Sequence, residues 1–226
     1  MTLTDLITFE QVLPGNRRLA ANASADLANE VRALLGKLLE LDVAGPSLAD
    51  GRSVLFGWSR LVIRQSSGTP VLFVHEPDFL ADPERETVPH VNRTVRVVRD
   101  QAMMIALTGA VPRDVFYNQI VQCEHRALEK SECYFERRAP ITTRDSGWLA
   151  GCASMNETKT LEAADFTPIP VYSLLVDFPE ALKLLALPAG YMGIFHFRKL
   201  VELFGPEGVS VPLPDGCLCK GNPSGI

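Results

Sequence analysis

The clearest pattern in the chain is helical. Leu27, Val31, Leu34, Leu35, Leu38 and Leu41 recur at three- and four-residue spacing, which predicts an amphipathic helix over residues 26–42. Ser24 stands where its N-cap is expected. Glu30, Arg32, Lys37 and Glu40 fill the other faces without a basic excess, so the apolar stripe reads as core-facing rather than membrane-facing. Residues 1–23 read as an irregular leader anchored by Leu6, Ile7, Phe9, Val12 and Leu13. After the Gly45-Pro46 break, Val54, Leu55, Phe56, Trp58 and Leu61-Val-Ile63 predict one or two strands over 53–65. A turn at Ser66-Ser-Gly68 and a return strand over 70–75 follow. Residues 76–89 form an acidic loop containing proline. Asn92 is expected to cap a second helix over 93–107, ended by Gly109. Its Arg93, Arg96 and Arg99 fall three apart on one face, read as solvated because Asp100 and the acidic loop are close in sequence. Runs at 116–125 and 133–138 predict a strand pair joined near 127–130.

The remainder turns on Asp145-Ser-Gly-Trp148. Gly147 lets the backbone turn so that Trp148 swings inward as an apolar anchor, while Asp145 and Ser146 fix the turn through backbone N–H groups. A strand over 148–152 and a second acidic loop lead to Asp165-Phe166 and Pro168. Leu174, Leu175, Phe178, Leu182, Leu185 and Ala186 then recur at helical spacing. Pro179 suits a first helical turn, so a helix over 179–186 is expected, with Asp177 near its N-cap and Gly190 past its end. A strand over 191–197 follows, then a strand or short helix over 199–204.

These elements predict an α+β fold: mixed or antiparallel sheets with a few packed helices. The expected division is an N-terminal α+β half over 1–140, a second half over 141–205, and an extended tail over 206–226. Gly57-Trp58 and Gly147-Trp148, Asp78-Phe79 and Asp165-Phe166, and the helix ends at Gly109 and Gly190 recur in the same order, which suggests two related halves.

Composition narrows the function. The net charge of −5 argues against a nucleic-acid partner and suits a basic one. No apolar run is long enough for a membrane span, and the start lacks a secretory pattern. The five cysteines include only one close pair, Cys217 and Cys219, which fits a reducing cytosol better than a disulfide framework.

The chemistry points the same way. His75, His90, His125 and His196 show no metal-ligand spacing, so neither a metal nor a cofactor is expected. Ser146 lacks a nucleophile elbow. Cys123 and His125 share a strand face but lie too far apart along it for a nucleophile–base pair. No catalytic residue is expected. His196, flanked by Phe195 and Phe197, is expected to point outward from its strand.

Asp145-Ser-Gly-Trp148, the Leu184-Leu185 pair before Pro188-Ala-Gly190, and the apolar strand after it resemble the bacterial toxin-immunity class called immunity family 33. Two departures stand out: Asn156-Glu-Thr-Lys-Thr160 occupies the family's usually aromatic acidic middle, and the strand with Tyr191, Phe195 and Phe197 is unusually aromatic. The resemblance implies a non-enzymatic cytoplasmic protein of bacterial polymorphic-toxin or type VI secretion systems. Its partner would be a cognate toxin, a basic nuclease being one candidate, neutralised by occlusion. The expected contacts are Asp78, Asp82, Glu84 and Glu86 in the first acidic loop, with Glu157, Glu162 and Asp165 in the second. Rival readings are a hydrolase using Cys123/His125 or Ser146, and an adaptor forming a homodimer through the aromatic strand 191–197.

Overall fold

The structure, a computed structural model, describes residues 6–66, 68–152 and 162–214. The chain forms two compact units, residues 1–99 and 100–226, each with its own mixed sheet. This is the expected α+β class, and each half is α+β.

In the first unit, β1 (Leu6–Leu13) and β2 (Arg17–Ser24) form an antiparallel hairpin. The expected irregular leader is therefore a strand pair. The turn Pro14-Gly15-Asn16 makes it possible, because Gly15 and Asn16 take the left-handed conformation that three-residue hairpin loops use. α1 (Ala28–Ala44) follows, with Val31, Leu34, Leu35 and Leu38 buried. Ser24 does not cap it through its side chain, since a 3-10 turn over Ala25–Leu27 intervenes. Leu41 is partly exposed rather than in the stripe. β3 (Ser53–Phe56), β4 (Ser59–Gln65) and β5 (Val71–Pro77) form a meander as expected, and β5 lies parallel to β2. The order is β1-β2-β5-β4-β3, with β6 (Thr87–Val88) beside β5. The small residues of β2, Ala20, Ala21 and Ala23, are fully buried, and α1 packs on β1 and β2. Each buried leucine of α1 contributes about 2 kcal/mol.

α2 runs from Asn92 to Thr108 across the boundary between the units. Asn92 was expected to cap it, yet its Oδ1 accepts the Ser24 N–H at 2.8 Å. The capping falls to Glu76, a fully buried carboxylate that accepts the N–H groups of Arg93 at 3.2 Å and Thr94 at 2.7 Å. Glu76 therefore belongs to the interior rather than to the acidic loop.

In the second unit the strands are β7 (Ile120–Glu124), β8 (Glu132–Arg137), β9 (Asp145–Cys152), β10 (Phe166–Pro170), β11 (Met192–His196) and β12 (Lys199–Phe204). Their order is β10-β7-β9-β8-β11-β12. β7 and β8 do not pair as expected: β9 sits between them, parallel to β7 and antiparallel to β8. The sheet holding the Asp-Ser-Gly-Trp turn thus begins at β7, not after residue 140.

The expected helix over 179–186 is a 3-10 turn, Pro179–Leu184, preceded by the one-turn α3 (Leu174–Asp177). Pro179 keeps Phe178 out of the α region, at φ −157° and ψ 66°. The period then tightens to three. Phe178, Ala181, Leu184 and Leu187 lie three apart and are all fully buried, which suits a helix that eclipses i and i+3. The rings of Phe135, Phe178 and Phe195 meet at 5.1–5.5 Å in the core.

Both sheets place an antiparallel pair beside a parallel one, yet the chain threads them in different orders. Gly57-Trp58 leads into β4, which has antiparallel neighbours on both sides, whereas Gly147-Trp148 lies in β9, which has one of each. Two halves are present, but the duplication does not carry through. Of the expected tail, residues 206–211 are tied back: Ser210 bridges Phe204, and Val211 donates to Leu203 at 2.8 Å. The rest of it from residue 215 lies outside the described residues.

Candidate functional site

The Asp-Ser-Gly-Trp segment opens β9 and is fully engaged in holding the second unit together. Gly147 has φ +77°, and a Cβ there would collide with the Arg138 carbonyl oxygen. Asp145 accepts the N–H groups of Gly147 at 2.8 Å and Ile141 at 2.9 Å. Ser146 is buried; its Oγ donates to the Ile120 carbonyl at 2.6 Å and accepts the Trp148 N–H at 3.1 Å. Trp148 is the expected core anchor, with its indole N–H on the Leu185 carbonyl at 3.2 Å. Opposite it on β8, Arg137 is buried and donates through Nη1 to the carbonyls of Leu185 at 2.6 Å and Leu187 at 2.7 Å. Its guanidinium also lies 5.8 Å from the Trp148 ring, and burial lowers its pKa to about 10. Sequence reasoning missed Arg137, although an arginine at the next inward position of the Cys133, Phe135 alternation was a signal.

The side chains that looked nucleophilic are unsuited to attack. Ser146 spends its proton on a backbone carbonyl. Cys123 is buried, and burial pushes its thiol up to about 11; the Cys133 thiol goes up to about 12 for the same reason. A thiol held protonated cannot act as the nucleophile.

Cys123 instead forms part of the wall of an open groove of about 400 Å³ in the second unit. His125, Arg126, Glu129, Asp177 and Arg198 line it too. Arg126 Nε pairs with Glu129 at 2.7 Å. Glu124, on the same wall, accepts the Cys152 N–H at 2.7 Å. Backbone strain gathers around this groove. Five non-glycine residues among those described have positive φ, and three of them are Arg126 at 62°, Phe197 at 45° and Arg198 at 63°. Left-handed backbone costs an ordinary residue about 1–2 kcal/mol.

Phe197 and Arg198 form the two-residue turn between β11 and β12, where His196 pairs with Lys199. His196 is exposed as expected, its Nδ1 3.3 Å from Glu132. Phe197 leaves the strand at the turn and is 70% exposed, while Phe195 is fully buried in the aromatic cluster. Tyr191 is buried as well, so of the three aromatic residues in 191–197 only Phe197 is exposed.

The first acidic loop is an ordered turn in the first unit. Asp78 Oδ1 accepts the Leu80 N–H and Asp82 Oδ1 the Glu84 N–H, each at 3.1 Å. The Asp82 carbonyl also accepts the N–H of Glu86 at 2.7 Å. Phe79 folds inward and stacks on Trp58 at 4.9 Å, so the loop presents Glu84 and Glu86 outward while Asp78 and Asp82 are half-buried. In the second unit Glu162 is exposed, and Asp165 Oδ2 accepts the Glu162 N–H at 2.8 Å. Glu157 lies outside the described residues. Four of the expected contacts thus share one loop, and Glu162 and Asp165 share another in the other unit. Among the described residues no group of three or more metal-ligating side chains occurs, and no helix is long and apolar enough to cross a membrane.

The second unit is therefore an α+β domain with a six-stranded mixed sheet, a buried Asp-Ser-Gly-Trp turn and a charged surface groove. Residues 100–202 match the family model of the Imm33-like domain. No curated protein and no solved structure matches the chain.

Proposed function

We propose that this protein is an immunity protein that binds a cognate toxin and neutralises it by covering its active site, transforming nothing itself. The observation that carries the reading is the Imm33-like domain over residues 100–202. The burial of Ser146 and the raised thiol of Cys123 support it, because the groups that would serve a hydrolase are committed elsewhere.

The toxin is a basic protein, a nuclease being the class that best complements a chain of net charge −5. Glu84 and Glu86 of the first loop and Glu162 of the second are exposed and steer the encounter. Asp78, Asp82 and Asp165 hold the loops in shape through backbone N–H groups. The protein acts in the bacterial cytoplasm, in a polymorphic-toxin or type VI secretion setting.

The test is co-expression with the protein encoded by the adjacent open reading frame. Growth is expected to be arrested by that protein alone and restored when both are made, with a stable complex on pull-down. Equal toxicity in the presence and absence of this protein would remove the reading.

A further inference from the structure

We propose that Cys133 and Cys152, facing each other across β8 and β9, are a redox modification site: hydrogen peroxide closes them into a disulfide and a reducing thiol reopens it. The inference goes beyond the immunity reading and does not depend on it.

The ladder makes the argument. Cys133 and Cys152 are direct partners in the antiparallel β8–β9 register, so their side chains share one face of the sheet. They also form a non-hydrogen-bonded pair, and the bonds around them fix this. Arg138 donates to the Gly147 carbonyl at 2.8 Å, one step beyond the Arg137–Trp148 pair, and bonded pairs alternate along the ladder from there. On the other side of β8, Phe197 donates to the Ser131 carbonyl at 2.7 Å and Arg137 to the Tyr191 carbonyl at 2.9 Å. Cys133 lies in the same alternation and turns its backbone groups to β11, away from β9. Cys152 turns its N–H away from β8, to Glu124 at 2.7 Å. The Cα atoms of such a pair lie about 4.5 Å apart. That falls inside the roughly 4.4–6.8 Å that a disulfide spans.

The register also chooses between the neighbouring thiols. Cys123, Cys133 and Cys152 are all thiols, and Cys152 is close enough to raise the pKa of the other two. Cys123 pairs with Ala150, two residues along β9 from Cys152, and is therefore only a diagonal neighbour. Diagonal neighbours stand about 7–8 Å apart, beyond that span.

Access divides the roles. Cys133 is 1% exposed and Cys152 is half-buried, so Cys152 meets the oxidant. Its thiolate attacks a peroxide oxygen, the O–O bond breaks, and the hydroxide released takes up the thiol proton, leaving a sulfenic acid and water. The Cys133 sulfur then attacks the Cys152 sulfur. The S–S bond forms, the S–O bond breaks, and the departing hydroxide leaves as water with the Cys133 proton. Two thiols and one peroxide give one disulfide and two waters. Burial pushes the Cys133 thiol up to about 12, with Arg198 acting against it, which makes it inert to reagents from solvent. A sulfenic sulfur held directly opposite needs only a small thiolate fraction, because the step is intramolecular. The bond ties the end of β9 to β8 and encloses the Asp145–Trp148 turn in one covalent loop. In a reducing compartment the dithiol is the resting form.

The experiment treats the full folded chain with hydrogen peroxide, blocks remaining thiols, digests without reductant and maps the linked peptides by mass spectrometry. A peptide pair joining Cys133 to Cys152 is expected, together with a melting temperature raised by about 5 °C and restored by dithiothreitol. Cys123→Ala is expected to leave that link in place. Cys133→Ala is expected to lengthen the life of the Cys152 sulfenic acid, trapped with dimedone, at least about tenfold. The wild-type map needs no variant to fold. Cys152 oxidised to sulfinic acid without a link overturns the proposal. A link from Cys152 to Cys123, Cys217 or Cys219 in its place overturns it, as does a Cys133–Cys152 link that forms only in urea. None of these outcomes bears on toxin binding, which the co-expression test reads separately.

Discussion

Trp148 donates its indole N–H to the carbonyl of Leu185 at 3.2 Å, the same oxygen that Arg137 reaches at 2.6 Å. A strand, its neighbour and the turn after the 3-10 segment are joined at one atom. Removing Arg137 leaves the carbonyls of Leu185 and Leu187 short of a buried donor. Arg137→Met is expected to cost about 3 kcal/mol, read as a lower urea midpoint at unchanged slope. A loss below about 0.5 kcal/mol would show that the buried guanidinium is dispensable.

Gly147 offers a sharper test of the same turn. Any Cβ meets the Arg138 carbonyl oxygen, and φ of +77° is unfavourable for every other residue. Gly147→Ala is expected to destabilise the second unit by about 3 kcal/mol, with the cost divided between strain and clash. Thermal melting followed by tryptophan fluorescence would report it through Trp148. An unshifted transition would mean that the turn adopts another conformation.

Acid stability has an identified contributor in the first unit. Burial acts to raise the pKa of Asp42, but the Leu48 N–H and the Arg17 guanidinium 2.6 Å away hold it below its ordinary value of 3.8. The sign follows from a folded pKa lower than the unfolded one. The contribution is complete above pH about 4 and is lost as pH falls from there through the folded value. Asp42→Asn is expected to lower stability at neutral pH and to flatten the pH dependence below 4. Parallel curves for the two proteins in that range would contradict the assignment.

The thiols give a chemical check on the non-catalytic reading. With Cys123 at about 11 and Cys133 at about 12, less than about one part in a hundred of either is thiolate at pH 8. Iodoacetamide at that pH is expected to modify both far more slowly in the folded protein than in urea. Fast labelling of native Cys123 at neutral pH would revive a cysteine nucleophile.

The acidic loops predict a kinetic signature. Reversing Glu84 and Glu86 to lysine is expected to slow association with the toxin about tenfold at low salt and to leave dissociation within about twofold. Raising the salt should shrink the difference, because these carboxylates are exposed. An effect on dissociation alone would move them from steering into the buried contact.

The hydrophobic periodicity and turn residues of this chain determined most of its elements: α1 from the leucine stripe, the β3–β5 meander from its alternation, and the inward Trp148 from the glycine before it. These are local properties, because a helical or strand period records which face meets the core. The pairing of β7 with β9 and the capping of α2 by Glu76 were decided only in the tertiary structure. Each depends on a group distant in sequence, and a backbone N–H takes whichever acceptor the fold brings to it. The exposed ring on a left-handed turn at Phe197 belongs to the same class. Residues 191–197 read as one aromatic strand until the β11–β12 register places Phe195 inside and Phe197 at the tip.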